Sequence, residues 1–388
     1  MRFVIASFHF LPMAGAEAYC TTRFASALAA SGHEVTVVTM DWPQQVSDDV
    51  ITKLIDPRSS VVRVPLAVPT RAPVAARLWY MTHEWDSVNL PSFIAALRGV
   101  LKGRPESVLI SRTHPMVSLI GAWHCRHLAA QWIAHFSDPI PFYGGKLKQG
   151  LMRLWCRRAF REANGISVTC ANAVRFFKEA YGLSFPSERA FVTPHLGDPW
   201  LGTNERFERI DDLPMIVHTG LFYAGRGALP LLEAMRTLAA AGFGCRFVQV
   251  GEVDPAIRGV FSGVPNVSEV SDKSPSLSAA VVEASDVSFV SDVQLPGDYI
   301  PYMPSKFVYQ LFTDKPMVIY TKCDSPMGQC CRQFPDSGLY FADADKPETL
   351  PDAIRAACQG RAFDRRDIRA RFSPKRVIGD FLSHVNGF

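Results

Sequence analysis

The sequence predicts an α/β protein built from two doubly wound, Rossmann-like domains that face each other across a cleft. Three observations carry this. Short apolar runs of strand length alternate with longer stretches of helical spacing. The alternation breaks off near residue 195 and restarts near residue 214. At 388 residues the chain is too long for one ordinary domain. Apolar residues make up 48% of it, enough for real cores, which excludes a largely disordered chain.

The elements follow in order. "RFVIASF" (2–8) is short and apolar, fit for a strand buried on both faces. After the loop "HFLPMAG", "AEAYCTTRFASALAASG" places Ala18, Phe24, Ala25 and Leu28 on one helical side, with Gly32 as its stop. "HEVTVVTM" is the next strand, completing a βαβ unit with a right-handed connection. "SVLISR" (107–112), "QWIAHFS" (131–137) and "GISVTC" (165–170) are further buried strands. Residues 195–213, rich in turn formers and then in charge, read as a linker. Beyond it come strand "PMIVHTG" (214–220), helix "LPLLEAMRTLAAAG", strand "CRFVQVG" (245–251), helix "SPSLSAAVVEAS" (274–285) and strand "DVSFVS" (286–291). Then follow "YMPSKFVYQLFTDKPMVIY" and a last helix over 373–385. The domain division is 1–200, 201–372 and a terminal helix 373–388 returning to the first domain.

Charge and cysteine usage narrow the class. Residues 1–200 hold 21 Lys and Arg against 14 Asp and Glu, and residues 201–388 hold 20 against 23. A basic first half favours an anionic partner, either a membrane surface or a phosphorylated substrate. The nine cysteines are scattered, with no CxxC, and read as free thiols in a reducing compartment. No run approaches the ~18 apolar residues of a spanning helix. The start mimics a short signal peptide, but strand, loop and helix explain the same residues better.

Several strand ends carry chemistry. Gly15 opens the first helix, where free amides bind phosphate, although a plain strand–helix turn needs the same glycine. Arg112 and His114 end one strand, and His135 and Asp138 the next; His and Asp suit proton transfer, while Asp before Pro also suits a turn. Glu17 lies in the first helical turn, favourable for the dipole without further role. In the second half, "HTGLFYAGRG" brings Gly220 and Arg226, a planar phosphate donor or a surface guanidinium. Lys306 opens a helix after Pro304 and Ser305, opposing the helix dipole unless an anion binds there. "YGGKLKQGLMRLWCRRAFR" (143–161) has six basic residues and no acid. With Leu147, Leu151, Leu154 and Trp155 at helical spacing, it is either a membrane-surface helix or one whose apolar side enters the core. No H-E-x-x-H, His/Cys cluster, Walker loop, GxGxxG or G-x-S-x-G is present.

In this order, "AGAEAY…LAASGHEVTVVT", "SRTHPMVSLIG" with "QWIAHFSDP", "GISVTC", "VTPHLGD", "HTGLFYAGR…LLEAM" and "PSKF…DKPMV" resemble the B-fold glycosyltransferases. The likeness is to the bacterial group acting on surface polysaccharides and glycoconjugates, family 4 or a relative. It runs along nearly the whole chain. It implies a metal-independent transferase taking a UDP- or GDP-sugar, with no cofactor and no nucleic acid. The donor would sit on the second domain. The acceptor, a lipid-linked saccharide, would sit on the first, at the inner face of the cytoplasmic membrane. Gly15, Arg226 and Lys306 would hold the diphosphate. Gly220, Ser305, Tyr309, Gln310 and Asp298 would hold nucleoside and sugar. His114 and Asp138 would face the reacting centre, with Arg112 and His135 on the acceptor side. Arg153, Arg157, Arg158 and Arg161 would meet the membrane. Many relatives carry two glutamates where this chain has Pro301 and Tyr309, which leaves retention or inversion open. It also keeps two other readings: an epimerase or phosphorylase on the same fold, or a non-catalytic sugar-nucleotide-binding partner.

Overall fold

A computed structural model describes every residue except 14, 44–47, 68–87, 114, 140–145, 185–186, 198–201, 272–273, 294–299 and 361. The chain forms two α/β units. The first comprises Met1–Ser47, Ile51–Leu196 and Pro374–Phe388; the second comprises Gly197–Ser373 with Asp48–Val50.

The first unit holds seven strands: β1 (Arg2–Ser7), β2 (Glu34–Asp41), β3 (Ser60–Pro65), β4 (Val108–Thr113), β5 (Gln131–Phe136), β6 (Gly165–Val168) and β7 (Ala190–Val192). They pair in parallel in the order β3-β2-β1-β4-β5-β6-β7. β1 is the centre, with Ile5 opposite Val37 on one side and Ile110 on the other. Its side chains alternate between two cores. Val4 and Ala6 join one with Leu109, Trp132 and Phe136. Phe3 and Ile5 join the other with Phe24, Val35 and Ile110.

The terminal helix Pro374–Val385 closes that second core, burying Val377, Ile378, Phe381 and Val385. Phe381 meets Phe24 edge-on at 5.1 Å and Phe191 at 5.9 Å. The last residues of the sequence thereby cover the sheet built by the first.

The second unit holds six strands: β8 (Met215–Thr219), β9 (Arg246–Val250), β10 (Val267–Val270), β11 (Val287–Ser291), β12 (Met317–Thr321) and β13 (Leu339–Asp343). They are parallel in the order β10-β9-β8-β11-β12-β13. The chain winds outward from β8 to β10, then starts again on the other side of β8 with β11. The boundary between β8 and β11 is therefore the topological switch point, where doubly wound sheets leave a crevice at the carboxyl ends of their strands. In the first unit the equivalent boundary lies between β1 and β4.

The strands read from sequence are the interior ones. β3, β7, β10 and β13, the four sheet edges, are not among them. Their burial explains this. β11 and β12 are buried at every position, whereas β10 is only partly buried throughout. Half-buried edges mix polar with apolar residues and leave no continuous apolar run.

Candidate active site

Lys306 lies in the six-residue helix Ser305–Gln310. Its N-cap is Pro304, no side chain caps it, and the helix begins at Ser305, one residue before Lys306. The amine of Lys306 donates to the carbonyl oxygen of Thr219, the last residue of β8. Gly220 follows with φ +94°, and a Cβ there would fall on the Lys306 amine. Only glycine tolerates both the backbone angle and that approach. Gly220 is thus the floor beneath Lys306.

Burial, reinforced by the charge of Arg226, brings the Lys306 amine from 10.5 down to about 7. Arg226 ends the turn Ala224–Arg226, with its guanidinium 5.7 Å from the Tyr223 ring centre. Ser291, at the end of β11, donates to the Arg226 carbonyl at 2.8 Å or less, namely 2.7 Å. The turn is thereby fastened to the other side of the switch point. Arg226 Nε is buried without a hydrogen-bond partner among the described residues. Two cations that raise each other's cost, one with an orphaned donor, form an arrangement an anion would complete.

The buried groups behind them were not singled out by sequence reasoning. His218 Nδ1 lies 2.7 Å from Gln249 Oε1, and Gln249 Nε2 donates to the carbonyls of Val250 and Gly220. Burial and then Lys306 push His218 well below the ordinary imidazole range, so it is neutral. Asp292, directly after β11, is fully buried and accepts from Thr321. Burial pushes its carboxyl up to about 7, against the opposing pull of Thr321, Arg226 and Ser325. The signal for Asp292 was an acid at the end of an apolar strand, in "DVSFVSD".

Tyr309 is half-buried on the same helix. Gln310 and Thr313 are 4% and 6% exposed, so the polar residues that follow Lys306 along this stretch do not form an open face. The end of the helix turns inward, because the carbonyls of Gln310 and Thr313 accept from the buried Arg365. His114 and Asp298 lie outside the described residues.

At the first unit's switch point, Arg112 is 3% exposed and pairs with Glu17 at 3.1 Å. It also donates to Ser137 Oγ at 3.4 Å and lies 5.5 Å from the Phe24 ring centre. Glu17 in turn accepts from Thr21 at 3.1 Å. Arg112, expected on the acceptor side, is buried here with Glu17 as its counter-ion. Gly15 is the N-cap of helix Ala16–Ala30, in extended backbone with no side-chain cap. The Glu17–Arg112 pair ties that helix start to the end of β4.

His135 is likewise buried, with Nδ1 2.9 Å from Ser167 Oγ, which donates to Thr193 at 2.8 Å. Burial, then Arg112 and His195, hold it well below the imidazole range. His135, expected on the acceptor side, is thus a neutral interior side chain. Asp138 is exposed two residues beyond β5.

The basic helix spans Lys146–Glu162 and buries Met152, Cys156, Ala159 and Phe160. Of the leucines at helical spacing, two face outward: Leu147 is 61% and Leu154 43% exposed. Arg157 and Arg161 are exposed, while Arg153 and Arg158 are half-buried. Arg158 lies 4.7 Å from the Trp155 ring centre, and Arg161 pairs with Glu162 at 3.0 Å. Among the described residues no His, Cys, Asp and Glu group could hold a metal ion, and no helix is long and apolar enough to cross a membrane.

The lowered Lys306 value has a definite sign. Between about 7 and 10.5 the unfolded chain binds a proton that the folded chain releases, so this group makes stability rise with pH through that window. K306M should therefore stabilise the protein most below pH 7 and progressively less toward pH 10, read as the difference in unfolding free energy between variant and parent. A difference that does not vary with pH would show that the amine is not held in this state.

Comparison with known proteins fits this architecture. Residues 15–195 match the family described as "Glycosyl transferase 4-like domain". No curated protein matches the sequence. A glycosyltransferase from Rickettsia africae is similar in structure, at TM-score 0.64 and 12% identity, over 98% of this chain and 97% of that one. TarM, from S. aureus, aligns at TM-score 0.65 and 11% identity, over 99% and 98%. HepE from Anabaena aligns at TM-score 0.62 and 12% identity over both complete chains, 100% of each. Residues 15–195 are thus similar to the glycosyl transferase 4-like domain, and the chain as a whole has the two-unit fold of the B-type glycosyltransferases.

Proposed function

We propose that the protein transfers a glycosyl group from a nucleotide-diphosphate sugar to an acceptor, with the donor on the second unit. The observation that carries this is the convergence of Lys306 and Arg226 at the switch point between β8 and β11. In glycosyl transfer an acceptor oxygen bonds to the anomeric carbon while that carbon's bond to phosphate oxygen breaks. Negative charge then grows on the departing nucleoside diphosphate. Cations already fixed at that place stabilise it without reorganising. The same two side chains neutralise the diphosphate without calling on a metal ion. The solved structure of HepE holds UDP and glucose, and one of TarM holds UDP, which supports this class of donor.

Tyr309 stands where relatives carry a glutamate and offers a hydroxyl to the donor. In the first unit, Asp138 is the candidate base for an inverting transfer, and Gly15 opens a helix whose start is held by Glu17 and Arg112. Both K306M and R226A should weaken UDP or GDP binding roughly 10- to 100-fold, the effect of losing charge-assisted hydrogen bonds. Calorimetry on the folded variants measures this. Unchanged affinity of both variants for both nucleotides would refute the donor site. K306M should also be the more stable protein in the absence of nucleotide, a gain in stability joined to a loss of binding.

The acceptor in this reading is a lipid-linked saccharide, met at an anionic membrane. Its support is the outward face of helix Lys146–Glu162, where exposed Leu147 and Leu154 stand among arginines. Apolar side chains between cations suit a helix lying in a lipid headgroup layer. Vesicles with anionic lipid should retain the protein at low salt. Replacing Arg157 and Arg161 should release it at moderate ionic strength, and L147E/L154E should release it at every salt concentration. Retention unchanged in both would sink the membrane reading while leaving the donor site intact.

A further inference from the structure

The helix that carries Lys306 has only six residues, Ser305–Gln310. Isolated helices below ~12 residues are marginal in water. This one has no side-chain cap, and its first turn carries a positive charge against its own dipole. Something outside the helix must fix its position, because its sequence does not.

Two arginines do so from its carboxyl end. Arg365, 3% exposed, donates from Nη1 to Thr313 O at 2.9 Å and to Gln310 O at 3.4 Å. Its Nε donates to Ser337 O at 2.8 Å, and its Nη2 to Gly338 O at 3.4 Å. One guanidinium thus joins the exit of the short helix to the start of β13. Arg369 donates from Nε to Leu311 O at 2.7 Å, and from Nη2 to Thr313 O at 2.8 Å and Asp314 Oδ1 at 2.9 Å. The carbonyls at and just beyond the end of the helix, those of Gln310, Leu311 and Thr313, therefore accept from cations. Cations are favourable there for the dipole, which offsets the unfavourable cation at the other end. The arrangement is costly in itself. Burial and the nearby Arg369 bring Arg365 from 12.5 down to about 9, and Asp314 is the carboxylate that opposes this.

We propose that Arg365 and Arg369 are positioning residues for donor binding, holding the far end of the helix so that the Lys306 amine stays over Gly220 at the end of β8. The role in binding rests on the donor site proposed above; the effect on Lys306 itself does not. A lysine in place of either arginine keeps the charge and loses the fork, so it cannot hold two carbonyls at once.

Two measurements on folded R365K and R369K test this. The first is the pH dependence of Lys306 acetylation in the free protein, read by peptide mass spectrometry. The second is UDP and GDP affinity by calorimetry. The expected result is a rise in the midpoint of Lys306 reactivity, as the loosened amine gains water, with affinity roughly tenfold weaker. A lower melting temperature with the same Lys306 midpoint and the same nucleotide affinity would overturn the proposal and leave the arginines as fold supports only. If R365K does not fold, R369K decides, because the Arg369 side chain is already 31% exposed. If the midpoint shifts but the parent protein binds neither nucleotide, the positioning of Lys306 stands while both its role in donor binding and the donor reading fail.

Discussion

The second unit is organised around one unfavourable placement: an amine held against the end of β8 with Arg226 close by. Keeping it at about 7 instead of 10.5 costs binding of a proton at neutral pH, at about 1.4 kcal/mol per tenfold. Several features make sense only as accommodations to it. Gly220 has no side chain because one would occupy the position of the Lys306 amine. His218 stays neutral behind it, with Gln249 tying the ring to the backbone of β8 and β9. Arg365 and Arg369 secure a helix too short to secure itself. A protein that keeps such a cost at a switch point is organised for a ligand that removes it.

The first unit shows the same placement with the opposite solution. Arg112 sits at its switch point, but Glu17 from the first helical turn neutralises it within the protein. In the second unit the buried carboxylate that feels Arg226, Asp292, is instead pushed up to about 7. The two units thus meet a similarly placed cation with different partners. Fold likeness alone would not make that distinction, since both units have the same doubly wound plan.

How much was legible in the sequence followed from burial. Interior strands such as β1 and β11 announce themselves as unbroken apolar runs, because water reaches neither face. Edges such as β3 and β10 do not. Lys306 drew attention for a similar reason, since a cation at a helix start is locally wrong and asks for an explanation. Gly220 and Arg226 stood out by their place after a strand. The partners that decide each group's state were not legible. Nothing in the spacing joins Glu17 to Arg112, 95 positions apart, or Arg365 to Gln310, 55 apart. Those contacts depend on strand order, and so does the burial of Arg112, His135 and Gln310. For the leucines of Lys146–Glu162 the sequence left both directions open, because periodicity gives an apolar face but not the direction it points.

The most direct test follows the Lys306 amine itself. Heteronuclear NMR of the lysine side chains, with Lys306 assigned by the K306M variant, reports its titration in the free protein and with saturating UDP or GDP. The account predicts a midpoint near 7 in the free protein, moving upward by well over tenfold in proton affinity when the diphosphate binds, because an adjacent anion favours the charged form. A midpoint already at the ordinary lysine value, or one that stays in place while nucleotide is bound, would contradict it.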